Sequence, residues 1–136
     1  MQPQTFVFIG QSGCGKGTQV DLLKKVLTEK DQSRKIVVFE TGIKFREIFK
    51  GDNYSSKVAR EIYERGGLQP DFLAVRNWSN MLFDDTEGHE HIFFDGICRR
   101  LSEAEMFTTA MEFYERQATI IFVNVSNKWA KKRLMD

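Results

Sequence analysis

The chain has 136 residues, 41% hydrophobic and 29% charged, with two cysteines and a formal net charge of +1. That balance fits one globular domain and excludes a disordered tail, a disulfide-stapled secreted module and a protein that draws nucleic acid or anionic membrane through its overall field. A domain of this length buries roughly 68% of the surface its unfolded chain exposes, so neither disulfide nor structural metal is required.

Cys14 and Cys98 lack metal-ligand spacing, and Met1, Gln2, Pro3, Gln4 do not open a basic, apolar leader. The protein is therefore expected in the cytoplasm, as a monomer, with neither nucleic acid nor membrane as partner. Its twelve Phe residues are scattered along the chain, as core residues rather than a base-stacking platform.

Thr5 to Ile9 is a short apolar run that stops at Gly10, as a buried parallel strand does. From Gly15 the period changes: Val20, Leu22, Leu23, Val26 and Leu27 fall at helical spacing before a polar turn, Glu29 to Arg34. Ile36 to Phe39 repeats the strand pattern, and Thr41-Gly42 leads into a helix carrying Phe45, Ile48 and Phe49. A further helix, Tyr54 to Arg65, is stopped by Gly66-Gly67, and Pro70-Asp71 starts another through Leu82. Ile92 to Phe94 reads as a third strand, Glu103 to Tyr114 as a helix, Thr119 to Val125 as a fourth strand, and a last helix begins near Asn127. Strands alternating with helices predict an α/β fold, a parallel sheet flanked by helices in three layers. With no repeat or linker, residues 1–136 form one domain.

Gly10-Gln-Ser-Gly-Cys-Gly-Lys16 matches G-x-x-x-x-G-K between a buried strand and a helix, the context a phosphate loop needs. Its glycines let the backbone wrap an anion, and the following helix adds its positive end. Lys16 would neutralise the outer phosphates as a phosphoryl group leaves. Without that context the segment would be a glycine-rich turn.

The position after Lys16 is Gly17, with the hydroxyl one residue later at Thr18, so the loop reads GKGTQ. Here the sequence resembles the adenylate kinase family of nucleoside monophosphate kinases, phosphate-loop proteins, along all 136 residues. The resemblance implies Mg²⁺-dependent, reversible transfer of a phosphoryl group from ATP to a nucleoside monophosphate, AMP by default. It implies donor binding by Gly10, Gly13, Cys14, Gly15, Lys16, Gly17, Thr18 and Arg133, and Mg²⁺ held through water at Thr18 and Asp95.

Glu40-Thr41-Gly42-Ile43-Lys44-Phe45-Arg46 looks like the family segment whose threonine and arginine contact the monophosphate, which implies that role for Thr41, Gly42 and Arg46. A guanidinium fork suits a phosphate; an isolated Arg46 would also be at home as a solvated helix residue. Gly66 to Asp71 is similar to the turn along the acceptor base and brings in Gln69. Asp95-Gly96-Ile97-Cys98-Arg99 looks like the family's Asp-Gly-Phe-Pro-Arg, placing Asp95 near magnesium and Gly96 and Arg99 on the acceptor phosphate. An aspartate at a strand's carboxyl end suits Mg²⁺ that keeps several waters, although it could instead cap a helix. The helices of roughly residues 41–82 would then be a monophosphate-binding insertion in the core.

Three residues depart from the family: Ile43 replaces an aspartate beside the magnesium waters, Cys98 a proline of the acceptor pocket, and Glu103 a glutamine that reads adenine. A glutamine amide donates and accepts, whereas an ionised carboxylate only accepts. Glu103 therefore suits guanine's N1–H and amino group; it also suits a solvent-facing place in a helix's first turn. The helix that Lys128 to Met135 resembles leads, in the family, to a lid and further arginines without counterpart here. Transfer without a lid is expected to be poor and to leak phosphate to water. Alternatives are a non-catalytic ATP-binding module, a fragment of a longer kinase, or a phosphate-loop kinase acting on another small acceptor.

Overall fold

Four short apolar runs pair into one sheet in a computed structural model that describes residues 1–135. They are β1 (Thr5–Ile9), β2 (Ile36–Glu40), β3 (His91–Asp95) and β4 (Ala118–Phe122), all parallel, in the order β2-β3-β1-β4. Helices α1 (Lys16–Lys30), α2 (Thr41–Phe49), α3 (Tyr54–Glu64), α4 (Asp71–Asp85), α5 (Leu101–Phe113) and α6 (Asn127–Met135) fill the connections. This is the three-layer α/β fold of phosphate-loop proteins.

Alternation along the strands builds two cores. One strand face sends Phe8 and Phe93 against Val20 and Leu27 of α1. The other sends Val7, Val37, Phe39, Ile92 and Phe94 against Trp78, Met81 and Leu82 of α4 and Phe107 and Met111 of α5. Phe94 meets Phe107 edge to face, centroids 5.1 Å apart, and Phe107 meets Trp78 in the same way at 5.6 Å. Central β3 is buried on both faces, which explains why its sequence is apolar without alternation.

Two expectations shift at the edges. β4 ends at Phe122 rather than Val125: the Val123 N–H still donates to Ile9 O at 2.8 Å, and the chain then turns toward α6. As an edge strand it leaves Ile120 and Phe122 exposed, and only one stripe of α1 meets the sheet, so Leu22 and Val26 stay in solvent. α4 runs three residues past Leu82 to Asp85.

At the amino end of the sheet, buried His91 joins three segments. Its Nδ1 accepts from the Gln4 N–H at 2.9 Å, which leaves the neutral ring's proton on Nε2, 3.1 Å from Asp31 Oδ2. Arg34 donates to the same carboxylate oxygen at 2.9 Å. These contacts lie at the end of the sheet opposite the phosphate loop, so the carboxyl ends of the strands remain free to build a site. No described helix is long and apolar enough to cross a membrane.

Candidate functional site

The loop between β1 and α1 takes, at two points, a shape that favours glycine. Gly13 and Gly15 have φ of 83° and 94°, in the left-handed region. Gly15 is the N-cap of α1 and supplies no side-chain cap, so the first N–H groups of that helix stay open to an anion. Gly10 faces a second restriction, because a Cβ there would lie 2.6 Å from Cys14 Sγ and 2.8 Å from Val123 O. The loop is tied to the segment that leads into α6: the Gln11 amide donates to Val125 O at 2.9 Å.

A cavity of about 300 Å³ opens over this loop, lined by Gln11, Gly13, Cys14, Gly15, Lys16, Gly17, Thr18, Glu40, Asp95 and Arg133. Lys16 Nζ lies 3.3 Å from Gly10 O and 3.7 Å from Asp95 Oδ1, with both side chains largely screened from solvent. Lys16 is the first residue of α1. Arg133 comes from α6, stacks at 5.4 Å over the Trp129 ring and donates to Thr18 Oγ1 at 3.1 Å. The loop therefore gathers two cations and a carboxylate around open backbone N–H groups.

A second cavity, about 640 Å³, lies between α2, the turn before α4 and the β3–α5 loop. Thr41, Gly42, Arg46, Gln69, Gly96, Arg99 and Glu103 all line it. The Thr41 hydroxyl donates to Gly96 O at 3.0 Å and ties the start of α2 to the exit of β3. Arg99 Nε donates to the same carbonyl at 3.2 Å, and Arg46 lies 3.8 Å from Glu40. Arg46 is well exposed, which allows the solvated-residue reading as well as a phosphate contact. Gln69 turns its amide toward Ala59 O at 2.8 Å, leaving its buried Oε1 without a partner among the described residues. Asp95 lines the first cavity and Gly96 the second, so the two meet at the carboxyl end of β3.

Two sequence-based alternatives are corrected. Glu103 is 3% exposed rather than solvent-facing, with its carboxylate accepting from the Arg99 backbone N–H and the Trp78 indole N–H, each at 3.1 Å. Asp95 does not cap α5, whose N-cap is Arg100; it faces Lys16. Cys98 has φ of 59°, which a proline, locked near −65°, cannot adopt, so the β3–α5 loop follows a path closed to the residue the resemblance expects there. Burial first, and then the negative charge of Glu103, push its thiol up to about 11.

Glu40 is the residue that sequence reasoning passed over. It ends β2 directly opposite Asp95 on β3 and borders the phosphate-loop cavity. The pairing follows from strand register, which no local pattern announces. Ile43 is half-exposed and does not line that cavity. Mg²⁺ takes oxygen ligands and retains waters; the carboxylates of Asp95 and Glu40 and the Thr18 hydroxyl, all on one cavity, fit that requirement.

A family model described as AAA domain matches residues 9–136. The adenylate kinase of Azobacteroides pseudotrichonymphae is 28% identical over 127 residues, covering 93% of this chain and 62% of that protein. That of Thermus thermophilus is 31% identical over 134 residues, 97% of this chain and 64% of the relative; that of Hydrogenobaculum sp. is 33% identical over 117 residues, 85% and 51%. The chain thus spans between about half and two thirds of the length of these relatives. Its fold, its phosphate loop and the family match agree: the chain belongs to the AAA-domain family of phosphate-loop proteins, and it is similar to these adenylate kinases over part of their length.

Proposed function

We propose that this chain binds a nucleoside triphosphate over the phosphate loop and transfers its terminal phosphoryl group to a nucleoside monophosphate in the larger cavity. The observation that carries this reading is the meeting of the two cavities at Asp95-Gly96, with cationic groups on both sides. The named function of the curated relatives, adenylate kinase, supports the same reading.

In this scheme an oxygen of the acceptor phosphate attacks the terminal phosphorus, and the bond to the bridging oxygen of the donor breaks. No side chain need serve as nucleophile, so catalysis is positioning and charge stabilisation. The Gly10 to Thr18 backbone cradles the donor phosphates, and Lys16 and Arg133 balance their charge. Arg46 and Arg99 hold the acceptor phosphate in line, with Thr41 and Gly42 keeping the start of α2 against β3. Mg²⁺, when bound, would supply further neutralisation of the transferring oxygens, held through water by Asp95, Glu40 and Thr18.

The test is exchange of labelled phosphate between ATP and each common nucleoside monophosphate, with and without Mg²⁺, in the wild type and in Lys16→Ala. We expect Mg²⁺-dependent exchange that falls by about a hundredfold or more in the variant, the usual cost of removing one group that stabilises transition-state charge. ATP binding without exchange to any monophosphate would refute transfer while leaving the donor site standing. Preferential phosphorylation of a hydroxyl-bearing metabolite would refute the acceptor.

A further inference from the structure

The larger cavity contains a group that its phosphate-binding end does not explain. Glu103, in the first turn of α5, is 3% exposed and yet borders the cavity. An ionised carboxylate in such a place needs hydrogen-bond donors. The protein supplies one to each oxygen: the Arg99 N–H to Oε1 and the Trp78 indole N–H to Oε2. A carboxylate has about four acceptor sites and donates nothing, so these two donors leave acceptor capacity on each oxygen of a group that borders the cavity. Asp71, the other carboxylate on this wall, is already engaged by Arg100 and Ser102.

The remainder of the wall specifies the occupant's shape. Arg46 and Arg99 suit a phosphate. Phe45, Phe49 and Tyr63 form a continuous stack, with centroid separations of 6.1 and 4.8 Å, and line the cavity with aromatic side chains. Cation, aromatic wall and acceptor-only group together describe a nucleotide whose base turns donors toward Glu103.

We infer that Glu103 makes this cavity selective for a monophosphate whose base presents two adjacent N–H donors, the guanine edge, over one that presents an acceptor beside a donor, the adenine edge. The inference rests on the acceptor role proposed for this cavity. Guanine's N1–H and amino group match the remaining acceptor capacity of the carboxylate. Adenine would set the N1 lone pair against a carboxylate oxygen, and uracil offers a single N3–H flanked by two carbonyls. Hydrogen bonds to a charged group are strong enough to separate GMP from AMP by on the order of tenfold or more.

Calorimetric titration of the full chain with GMP, AMP and UMP, and of Glu103→Gln with the same three, tests this. We expect GMP to bind the wild type at least tenfold more tightly than AMP or UMP, and Glu103→Gln to collapse that ratio, because its amide NH2 cannot accept a guanine N–H. AMP binding as tightly as GMP in the wild type overturns the inference and leaves the acceptor role intact. An unchanged ratio in a folded Glu103→Gln also overturns it. If the variant does not fold, the wild-type ratio decides alone. Absence of binding by all three, with ATP still bound, refutes the acceptor role and removes the inference with it.

Discussion

Gly13 in the phosphate loop and Gly17 in the first turn of α1 lie four residues apart, and the structure assigns opposite signs to an alanine at each. At Gly13 the backbone is left-handed, φ 83°, a conformation costing an L-residue roughly 1–2 kcal/mol. A Cβ there would also come within 2.6 Å of Ala130 O and 2.8 Å of Leu134 Cγ. The carbonyl belongs to the backbone of α6 and cannot yield unless that helix moves, an overpacking cost of about 1–3 kcal/mol. Gly13→Ala should therefore destabilise by about 2–5 kcal/mol, the sum of the two. At Gly17, in the first turn of α1, a Cβ meets nothing within 4 Å among the described residues. Gly17→Ala should be neutral or stabilise by up to roughly 1 kcal/mol through helix propensity. Urea unfolding followed by tryptophan fluorescence measures both, since Trp78 reports on the core and half-exposed Trp129 on α6. A Gly13→Ala midpoint equal to that of wild type, or a larger loss at Gly17 than at Gly13, would refute the packing of α6 on the loop.

Acid sensitivity should come from two carboxylates. The Arg34 hydrogen bond, opposed by burial and aided by His91, holds Asp31 below the usual carboxylate range. Burial pushes Glu90 upward, but the N–H groups of Glu87 and Gly88 outweigh it. Both folded values lie below the unfolded ones, so their contribution is present above about pH 4 and is lost as pH falls through the folded values. The melting temperature should drop across that acidic window, and Asp31→Asn should flatten the drop; an identical slope in the variant would contradict the role given to Asp31. For Cys98, the thiol pushed up to about 11 should be alkylated in the folded protein at neutral pH on the order of a hundredfold more slowly than an ordinary thiol. Rapid labelling of Cys98, detected by peptide mass, would show that the β3–α5 loop opens.

Residues that act through their immediate neighbours were legible in the chain. The switch from the run Thr5 to Ile9 to helical spacing after Gly15 marked the loop between them, because strand and helix periods are local properties of consecutive side chains. Element ends were less legible: β4 stops where β1 no longer pairs with it, and the apolar Val123 and Val125 give no sign of that. Leu22 and Val26 share the helical spacing of Val20 and Leu27 but not their burial, since only contact with the sheet selects which stripe is covered.

The sequence by itself determined the phosphate loop, its lysine and the alternating architecture, because each depends on residues within one strand–loop–helix unit. Tertiary structure alone decided what surrounds that loop. Glu40 meets Asp95 because β2 and β3 are neighbours in register, and Arg133 reaches Thr18 because α6 folds back over the loop. Glu103, equally suited in sequence to water or to a ligand, is drawn inward by an indole N–H that lies 25 residues away in α4. Such pairings depend on the order of strands and the packing of helices, where the energy of burying a polar group is settled by partners that a local pattern cannot name.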